Sequence, residues 1–466
     1  MSNMWQPSAI LFLILSICIS TIVTVHVLLN KRNVHSAIGW IGLAWFAPYL
    51  GTLLYYAFGI NRIQRRARIM RRAAKEKSPK TQDDGLISDA YSSLTKTVGA
   101  VTKRPLVQAN IALPLHDGDD AYPQMLSAIK SAQKTVALTS YIFRSDKIGQ
   151  EFIDALGEAH RRGVTVRVLI DGFGSGKKTF QSFKKLNVPA SRFLNSIWPW
   201  QVKFLNLRQH KKLLIIDGTK AFIGGLNISD DNTGRKRNKI KVRDTHFRVS
   251  GPVVRQITAD FIDDWFFATG EVLEEHLWNP VHQLSGKVLA RVILSGPDQQ
   301  TEQLSTTLMS AISAAQKSVK IATPYFLPNE TLMSALQLAA TRGVDVHIVI
   351  PEVSDHAPMD WAMYGHVGPL LQMGCKVFRT PLPFDHSKLM VIDDAWCLFG
   401  SPNWDTRSMR LNFEMAIEAY DSELASQLSR AIDENSVNPI TLKELGARSF
   451  VVQCRDAAVR LLIPYL

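Results

Sequence analysis

The chain has 466 residues, which is long enough for two domains of roughly 180 residues and an additional segment. Its 54 Lys and Arg exceed its 41 Asp and Glu, and the net charge of +13 favours an anionic partner, either nucleic acid or a phospholipid surface. Its four cysteines show neither zinc-ligand spacing nor a disulfide framework, which argues against a zinc module or a disulfide-stapled scaffold.

Two apolar runs near the amino terminus predict two transmembrane helices. Residues 9–29 contain no Asp, Glu, Lys or Arg, and residues 37–60 contain no charged residue at all. Each run is long enough to cross a hydrocarbon core of roughly 30 Å. Pro48 is expected to kink the second helix, which membrane helices tolerate. We therefore expect residues 1–61 to form a transmembrane hairpin, with a cleaved signal peptide or buried core helices as the alternatives.

The segment after the second run is strongly basic. Eight Lys and Arg lie within residues 62–77, whereas the loop between the runs has only Lys31 and Arg32. The positive-inside rule therefore predicts that the body of the protein is cytoplasmic. The same segment can serve as a topology signal only, or can also bind anionic headgroups at about 1 kcal/mol per basic residue. Residues 75–105 are polar and irregular, so we interpret residues 62–105 as a basic juxtamembrane segment followed by a linker.

The remainder of the chain is an internal duplication. Residues 127–143 (SAIKSAQKTVALTSYIF) recur as 310–326 (SAISAAQKSVKIATPYF), and 160–170 recur as 340–350, so the two copies run nearly in step. Short β-branched runs such as VTVRVLI predict strands, and the segments between them have helical spacing and end at residues such as Gly163. We expect an α/β fold with two similar halves, residues 106–285 and residues 286–466, the second ending in an apolar tail.

One polar phrase occurs once in each half. Five positions are identical between the copies, a coincidence expected roughly once in 10^6 alignments. The phrase appearing twice suggests one active site built between the two halves. Its members are His210, Lys212, Asp217, Gly224 and Asn227 in the first copy, and His386, Lys388, Asp393, Gly400 and Asn403 in the second.

The residue types of this phrase suit phosphoryl chemistry. His and Lys are two positions apart, so on a strand they point to the same face. One His can attack phosphorus while the other protonates the leaving alcohol. The two Lys and two Asn can hold the nonbridging oxygens of the transition state. We expect no metal and no other cofactor, because the lysines supply the positive charge.

Four carboxylates lie within the two copies of the phrase or follow them along the chain. A nucleophilic His needs an acid on its other ring nitrogen, and Asp244 and Glu414, which follow the histidines of their own halves along the chain, are the candidates for that orienting role. Asp217 and Asp393 belong to the catalytic phrase, but they lie on the opposite strand face from the Lys by parity. We favour a structural hydrogen-bonding role for them over direct chemistry.

The doubled phrase resembles the HKD motif that defines the phospholipase D superfamily, and the resemblance covers about residues 106–440. Within that superfamily the chain is similar to the bacterial cardiolipin synthases. That similarity rests on the two apolar runs and on short phrases, namely Ala44-Trp45, Pro48, Gly51, Tyr55, Phe58-Gly59, Tyr141–Phe143, Arg243–Phe247, Asp264–Glu271 and Asn403-x-Asp405-x-Arg407-Ser408.

The resemblance implies two duplicated phospholipase D-type α/β sandwich halves that share one active site and are preceded by two transmembrane helices. It implies a phosphohistidine intermediate, with His210 as the nucleophile and His386 as the acid. The implied reaction is phosphatidyl transfer between two phosphatidylglycerol molecules, which gives cardiolipin and glycerol. The implied partners are phosphatidylglycerol and other membrane phospholipids, and the implied location is the bacterial inner membrane, with a multi-pass topology.

Other functions remain open at this stage. The motif does not name the acceptor, so a hydrolase that uses water and a phosphatidylserine synthase that uses serine are alternatives. A nuclease would suit the basic charge, but two membrane spans argue against nucleic acid as the partner. A non-catalytic membrane scaffold would tolerate loss of His210 or His386, and both are present.

Overall fold

The computed structural model describes residues 7–31, 34–59, 88–112, 114–193, 207–234, 242–280, 286–297 and 302–461. The described residues divide into two compact units, residues 7–59 in the first and the described residues from 88 to 461 in the second. The basic segment 62–77 lies outside the described residues, as do the last five residues of the predicted apolar tail.

The first unit is helical. Helix α1 (Pro7–Asn30) is long and apolar enough over Ala9–Asn30 to cross a membrane, and it is the one helix in the described residues that meets this test. The second apolar run is interrupted at Ala47 (φ −139°, ψ 72°), directly before Pro48, because the proline ring disfavours helical backbone at the residue before it. The predicted kink is confirmed, but the second run is not one uninterrupted helix. The elements are α1 (Pro7–Asn30), α2 (Val34–Phe46), α3 (Pro48–Leu54) and a π-helical turn (Tyr55–Gly59).

Two polar contacts join the helices of this unit. Val27 and Ala44 are fully buried where the helices pack. The Ser20 hydroxyl donates to the Ala44 carbonyl at 2.6 Å, and His26 Nδ1 hydrogen-bonds the Tyr55 hydroxyl at 2.7 Å. Such internal pairing is what an apolar solvent demands of buried polar groups.

The second unit contains alternating helices and strands. Its helices are α4 (Ser92–Thr102), α5 (Asp117–Ser131), α6 (Lys147–Arg161), α7 (Lys177–Lys185), α8 (Val253–Thr269), α9 (Glu275–Trp278), α10 (Gln303–Ala314), α11 (Glu330–Thr341), α12 (Ala357–Tyr364), α13 (Gly368–Gln372), α14 (Thr406–Arg410), α15 (Ser422–Glu434), α16 (Leu442–Ala447) and α17 (Phe450–Arg460), with single 3-10 turns at Asp89–Tyr91 and Asp230–Asn232.

Its strands are β1 (Val107–Ile111), β2 (Leu115–His116), β3 (Thr135–Ser140), β4 (Thr165–Asp171), β5 (Ala190–Phe193), β6 (Leu213–Ile216), β7 (Lys220–Gly224), β8 (Val242–Arg243), β9 (Thr245–Ser250), β10 (Val288–Ser295), β11 (Ser318–Ala322), β12 (Phe326–Leu327), β13 (Asp345–Pro351), β14 (Lys376–Thr380), β15 (Phe384–Asp385), β16 (Leu389–Ile392), β17 (Trp396–Gly400), β18 (Trp404–Asp405), β19 (Glu414–Tyr420) and β20 (Asn438–Pro439).

The strand order shows the duplication directly. In the first half the order is β1-β9-β7-β6-β3-β4-β5, and in the second it is β10-β19-β17-β16-β11-β13-β14. In both halves the last three strands are parallel and the others are antiparallel. The predicted α/β character and the predicted strands at VTVRVLI and its repeat are confirmed, and Gly163 follows α6 with φ +88°.

The two halves share a single sheet. Strand β1 pairs antiparallel with β10, with Gln108 opposite Leu289. Beside this ladder the fully buried Arg291 donates from Nε to Glu418 at 2.6 Å. A buried charge pair of this kind is strongly destabilising to break by removing one partner. This pair lies within the second half, whereas the halves are joined by the backbone hydrogen bonds of β1 and β10 and by the stacking of Phe247 on Phe399.

The predicted linker is wrong for residues 88–105, which the structure describes. Helix α4 occupies most of this stretch, with Leu94 and Val98 buried against the core of the second half. The Arg291 guanidinium also donates to the Thr95 carbonyl at 3.2 Å. Leu94 and Val98 are one helical turn apart, which is typical of a buried helix face. The many polar residues around them hide this pattern in the sequence.

The carboxy-terminal stretch packs on the body. Helix α17 contacts α12, where the Arg455 guanidinium lies 4.2 Å from the centre of the Trp361 ring. Arg448 pairs with the buried Asp456 at 2.6 Å. Phe450 and Val451, at the start of α17, remain exposed.

Candidate active site

In each half, the histidine of the phrase is positioned by a backbone hydrogen bond to the other half. The His210 N–H donates to the Phe413 carbonyl at 3.0 Å, and Phe413 N–H donates to the Arg208 carbonyl at 2.9 Å. In the other half, β15 pairs with β8, and the His386 N–H donates to the Arg243 carbonyl at 2.8 Å. Each histidine is thus held against the segment of the opposite half that precedes an acid.

The result is a crossed pair of His–acid contacts. His210 Nδ1 lies 3.0 Å from Glu414 Oε2, and His386 Nδ1 lies 2.7 Å from Asp244 Oδ2. The two predicted acids therefore contact the imidazoles, but not in the expected pairing, because each reaches the histidine of the other half. Sequence distance suggested pairs within one half, whereas the exchange of backbone segments between the halves decides the actual pairs.

The two lysines reach the same centre. Lys212 Nζ donates to the His210 carbonyl at 2.6 Å, and Lys388 Nζ makes the corresponding contact with the His386 carbonyl. Burial is the largest influence on both ammonium groups, and it lowers the pKa of Lys212 to about 7 and that of Lys388 to about 8. Repulsion by Lys388 further lowers the pKa of Lys212. The phrases therefore converge on one cationic centre.

The two His–acid pairs differ in their charge states. Burial lowers the pKa of His210 to about 4, despite the opposing effect of Glu414. Burial alone would raise the pKa of Glu414, but His210 and Lys212 outweigh it and hold that pKa below its ordinary value. In the other pair, burial raises the pKa of Asp244 to about 7, and burial and the lysines lower the pKa of His386. Glu414 is thus the ionised acid, whereas Asp244 lies near half-protonation at neutral pH.

A difference in the phrases themselves accompanies this asymmetry. At the second copy the Ser401 hydroxyl donates to Glu414 Oε2 at 2.5 Å and so stabilises its charge. At the first copy the matching residue is Gly225, where a Cβ would lie 2.1 Å from Asp244 Oδ1. Glycine is needed there because the Asp244 carboxylate occupies the space of a side chain.

Asp217 and Asp393 lie away from the histidines, at the far ends of β6 and β16. Asp217 (φ +52°) accepts hydrogen bonds from the N–H groups of residues 133–135 at 2.7–3.2 Å. Asp393 (φ +54°) accepts from the N–H groups of residues 316–318 at 2.7–2.9 Å. Each closes a turn and fixes the start of the neighbouring strand, which is the structural role that parity favoured.

The two asparagines support the loops around the centre. Asn227 Oδ1 accepts from the Ile142 N–H at 3.1 Å. Asn403 is buried and hydrogen-bonds Asp405, while its Oδ1 has no hydrogen-bond partner. Donation from these amides to a phosphate oxygen stays a prediction.

The sequence reasoning missed a buried ion cluster beside the first phrase. Lys211, between His210 and Lys212, is 2% exposed, and its ammonium contacts Asp260 and, at 2.6 Å, Asp264. These carboxylates raise the pKa of Lys211 against the opposing effect of burial. Asp260 and Asp264 lie one turn apart on α8, a spacing that could have signalled a buried cation.

The surroundings of the two histidines also differ. The Tyr141 ring lies 4.9 Å from that of His210, and Tyr141 is surrounded by Arg208 and Arg407, which lower its pKa against the larger effects of burial and Asp171. The His386 side has Tyr325 and Asp355 instead. Within the described part of the chain no three His, Cys, Asp or Glu residues form a group that could hold a metal ion.

A duplicated α/β sheet with two His–Lys pairs in one cationic centre defines a phospholipase D-type phosphodiester-processing protein. Residues 125–265 and 308–435 match the family described as "Cardiolipin synthase, PLD-like domain", and residues 18–59 match "Phospholipase_D-nuclease N-terminal". The chain belongs to the cardiolipin synthase family of the phospholipase D superfamily.

Curated relatives match it over nearly the whole length. The chain is 32% identical to the major cardiolipin synthase ClsA of Bacillus subtilis (98% of each chain), and 31% identical to a cardiolipin synthase of Clostridium perfringens strain SM101 (94% of this chain, 96% of that one). The structure of phosphatidylserine synthase from Haemophilus influenzae Rd KW20 is similar in fold, with a TM-score of 0.62 at 15% identity over 80% of this chain and 100% of that chain.

Proposed function

We propose that this protein is a cardiolipin synthase, a phosphatidyltransferase that joins two phosphatidylglycerol molecules and releases glycerol. The observation that carries the proposal is the crossed contact of His210 with Glu414 and of His386 with Asp244 around two buried lysines. The names of the relatives, which match over nearly the whole chain, support the same substrate class.

The first half-reaction breaks the bond between phosphorus and the glycerol headgroup. Glu414 accepts the Nδ1 proton of His210 in a hydrogen bond, which directs the Nε2 lone pair of the neutral imidazole at the phosphorus. His386, paired with Asp244, gives its proton to the leaving glycerol oxygen. Lys212 and Lys388 stabilise the nonbridging oxygens. A phosphatidyl group is then bonded to His210, glycerol leaves, and the His386–Asp244 pair has lost one proton.

The assignment of the two histidines follows the charge states of their acids. The pKa of Glu414 is held below its ordinary value, so His210 has an ionised partner and stays neutral and nucleophilic. Burial raises the pKa of Asp244 to about 7, so the second pair retains a proton near neutral pH, as a general acid must. Asp217 and Asp393 act by fixing turns, and Asn227 and Asn403 act by supporting the loops around the catalytic centre.

The second half-reaction reverses the proton transfer. A hydroxyl of a second phosphatidylglycerol gives its proton to His386 and attacks phosphorus. The phosphorus–nitrogen bond to His210 breaks, and cardiolipin is released. Because the same chain carries an apolar amino-terminal segment, lipid hydroxyls are available at high local concentration to compete with water.

We further propose that the chain is a multi-pass protein of the bacterial inner membrane with its catalytic body in the cytoplasm. The apolar helix α1 and the interrupted second run support two spans, the second of them kinked at Pro48. The eight basic residues within 62–77 support the cytoplasmic placement.

The test is the reaction of the purified full-length protein with phosphatidylglycerol as the sole lipid. We expect cardiolipin and glycerol in near-equal amounts by mass spectrometry, and added glycerol should reverse the reaction because both sides contain similar phosphodiesters. Phosphatidic acid as the main product would show that water is the acceptor and would refute the synthase proposal.

A further inference from the structure

The cleft wall beside His386 carries a group that the proposed mechanism leaves unused. The Tyr325 ring lies edge-on to the His386 ring, with 6.4 Å between their centres. The Tyr325 hydroxyl donates to Asp355 Oδ1. The Asp355 side chain is 54% exposed, and its second oxygen, Oδ2, lies 4.0 Å from Nε2 of the exposed His356.

Asp355 acts electrostatically on the reacting groups. Its charge raises the pKa of both His386 and Lys388, against the larger lowering by burial. These effects, together with the contacts of Tyr325 to His386 and to Asp355, place the carboxylate at the edge of the catalytic centre.

The fold itself does not require this carboxylate. When residues 160–170 are aligned with their repeat 340–350, the position of Asp355 in the second half is that of Ser175 in the first. Ser175 is buried, and its hydroxyl holds the loop by accepting from the Phe143 N–H at 3.0 Å and donating to the Tyr141 carbonyl at 2.9 Å. The first half therefore builds its loop with a small neutral residue, while the second half exposes a charge.

An exposed carboxylate at the edge of a phosphate site repels the substrate unless it has another partner. On the His210 side, Arg208 and Arg407 lie close to Tyr141, and their charges suit anionic groups. A carboxylate accepts two hydrogen bonds from neighbouring hydroxyls, and charge-assisted hydrogen bonds are about twice as strong as neutral ones. The side of His386 is also where the leaving alcohol and the incoming alcohol exchange in the proposed mechanism.

We infer that Asp355, oriented by Tyr325, is a polyol subsite that binds the glycerol hydroxyls of the leaving headgroup and of the acceptor lipid. The inference rests on the proposed function and adds the residue that selects a diol-bearing alcohol over a monohydric alcohol. Tyr325 acts as a positioning residue, because its hydroxyl fixes one carboxylate oxygen and leaves the other for the ligand.

The experiment is a competition between two acceptors for one phosphatidyl-enzyme. The full-length protein in detergent–phosphatidylglycerol micelles is given deuterated glycerol and ethanol together, and the initial ratio of deuterated phosphatidylglycerol to phosphatidylethanol is measured by mass spectrometry. Asp355→Asn should lower this ratio roughly tenfold, since one charge-assisted hydrogen bond is lost. Tyr325→Phe should lower it by a smaller factor, and Asp355→Glu should restore part of it.

The ratio separates a subsite from a structural role. Misfolding, or a change in the acidity of His386, slows transfer to both acceptors alike and leaves the ratio unchanged. Glu352→Gln removes the same charge from an exposed position of the same loop, and it should leave the ratio at the wild-type value. A ratio within twofold of wild type for Asp355→Asn overturns the subsite. Should Asp355→Asn not fold, an unchanged ratio in Tyr325→Phe overturns it equally. Absence of cardiolipin from the wild-type reaction refutes the proposed function itself, and with it the role assigned here.

Discussion

Replacing Gly225 by alanine tests the crossed His–acid contact with a single methyl group. The new Cβ would lie 2.1 Å from Asp244 Oδ1 and 2.5 Å from Oδ2. Ordinary contact begins near 3.4 Å, so the carboxylate must move by roughly 1 Å. Asp244 is 2% exposed and is held by His386 at 2.7 Å and by the Thr245 N–H at 2.8 Å, so a displacement of its carboxylate strains these hydrogen bonds.

A displacement of that size breaks the Asp244–His386 hydrogen bond. Misplacing a catalytic group by about 1 Å costs roughly 10²-fold in rate, and losing the orienting acid of a catalytic histidine costs about 10⁴-fold. We therefore expect kcat to fall by about 10²- to 10⁴-fold in Gly225→Ala. Overpacking should lower the free energy of unfolding by only about 1–3 kcal/mol.

The assay is glycerol release at saturating phosphatidylglycerol, with thermal unfolding followed by circular dichroism on the same sample. Ser401→Ala is the matched control, because the second copy already holds a Cβ at this position. It loses the hydroxyl bond to Glu414 and should cost about tenfold or less. A folded Gly225→Ala protein with kcat within threefold of wild type would show that the Asp244–His386 contact does not contribute to turnover.

Four further outcomes are expected. His210→Ala and His386→Ala should each abolish turnover in folded protein, and acid trapping should place the phosphatidyl group on His210; substantial activity in either variant contradicts a shared site. The kcat/KM profile should decline as pH rises through about 7–8, because Lys212 and Lys388 lose their protons there, and should decline again near pH 4, where His210 gains one; a profile that still rises above pH 9 would count against phosphate binding by charged lysines. Activity should survive excess EDTA, whereas loss that one divalent ion alone restores would contradict lysine-based charge stabilisation. A reporter that works only in the cytosol should be active when it is fused after Leu466, whereas activity of a reporter that works only in the periplasm would reverse the proposed topology.

Much of the fold could be predicted from the sequence, because each pattern in one repeat can be compared with the same pattern in the other. The apolar runs that form β4 and β13 match each other in spacing and composition, so a strand predicted in one half is supported by the same pattern in the other. The kink at Pro48 is predictable because a proline inside a helix interrupts the helical backbone. Helix α4 was missed because its apolar residues, Leu94 and Val98, gain their burial from α10, a helix of the second half that lies far along the chain.

The site was predictable in its members but not in its connections. His210, Lys212 and their repeats share a local pattern, and local patterns are visible in a sequence. The partner of each histidine is not local, because β8 and β15 carry segments of one half across to the other. For the same reason the roles of Tyr325 and Asp355, which depend on neighbours distant in the chain, leave no short-range signal.

The continuous sheet also limits how substrates enter and products leave. Enzymes built from two lobes often open and close about a hinge. Here such a rotation would have to separate β1 from β10 and break the backbone hydrogen bonds between them, so a hinge motion of the two halves is opposed. The continuous sheet then fixes the frame of the site, and among the described residues the loops that carry the exposed Phe173 and Val353 can adjust its surroundings. A product with four acyl chains would therefore leave past these loops, without a widening of the gap between the two halves.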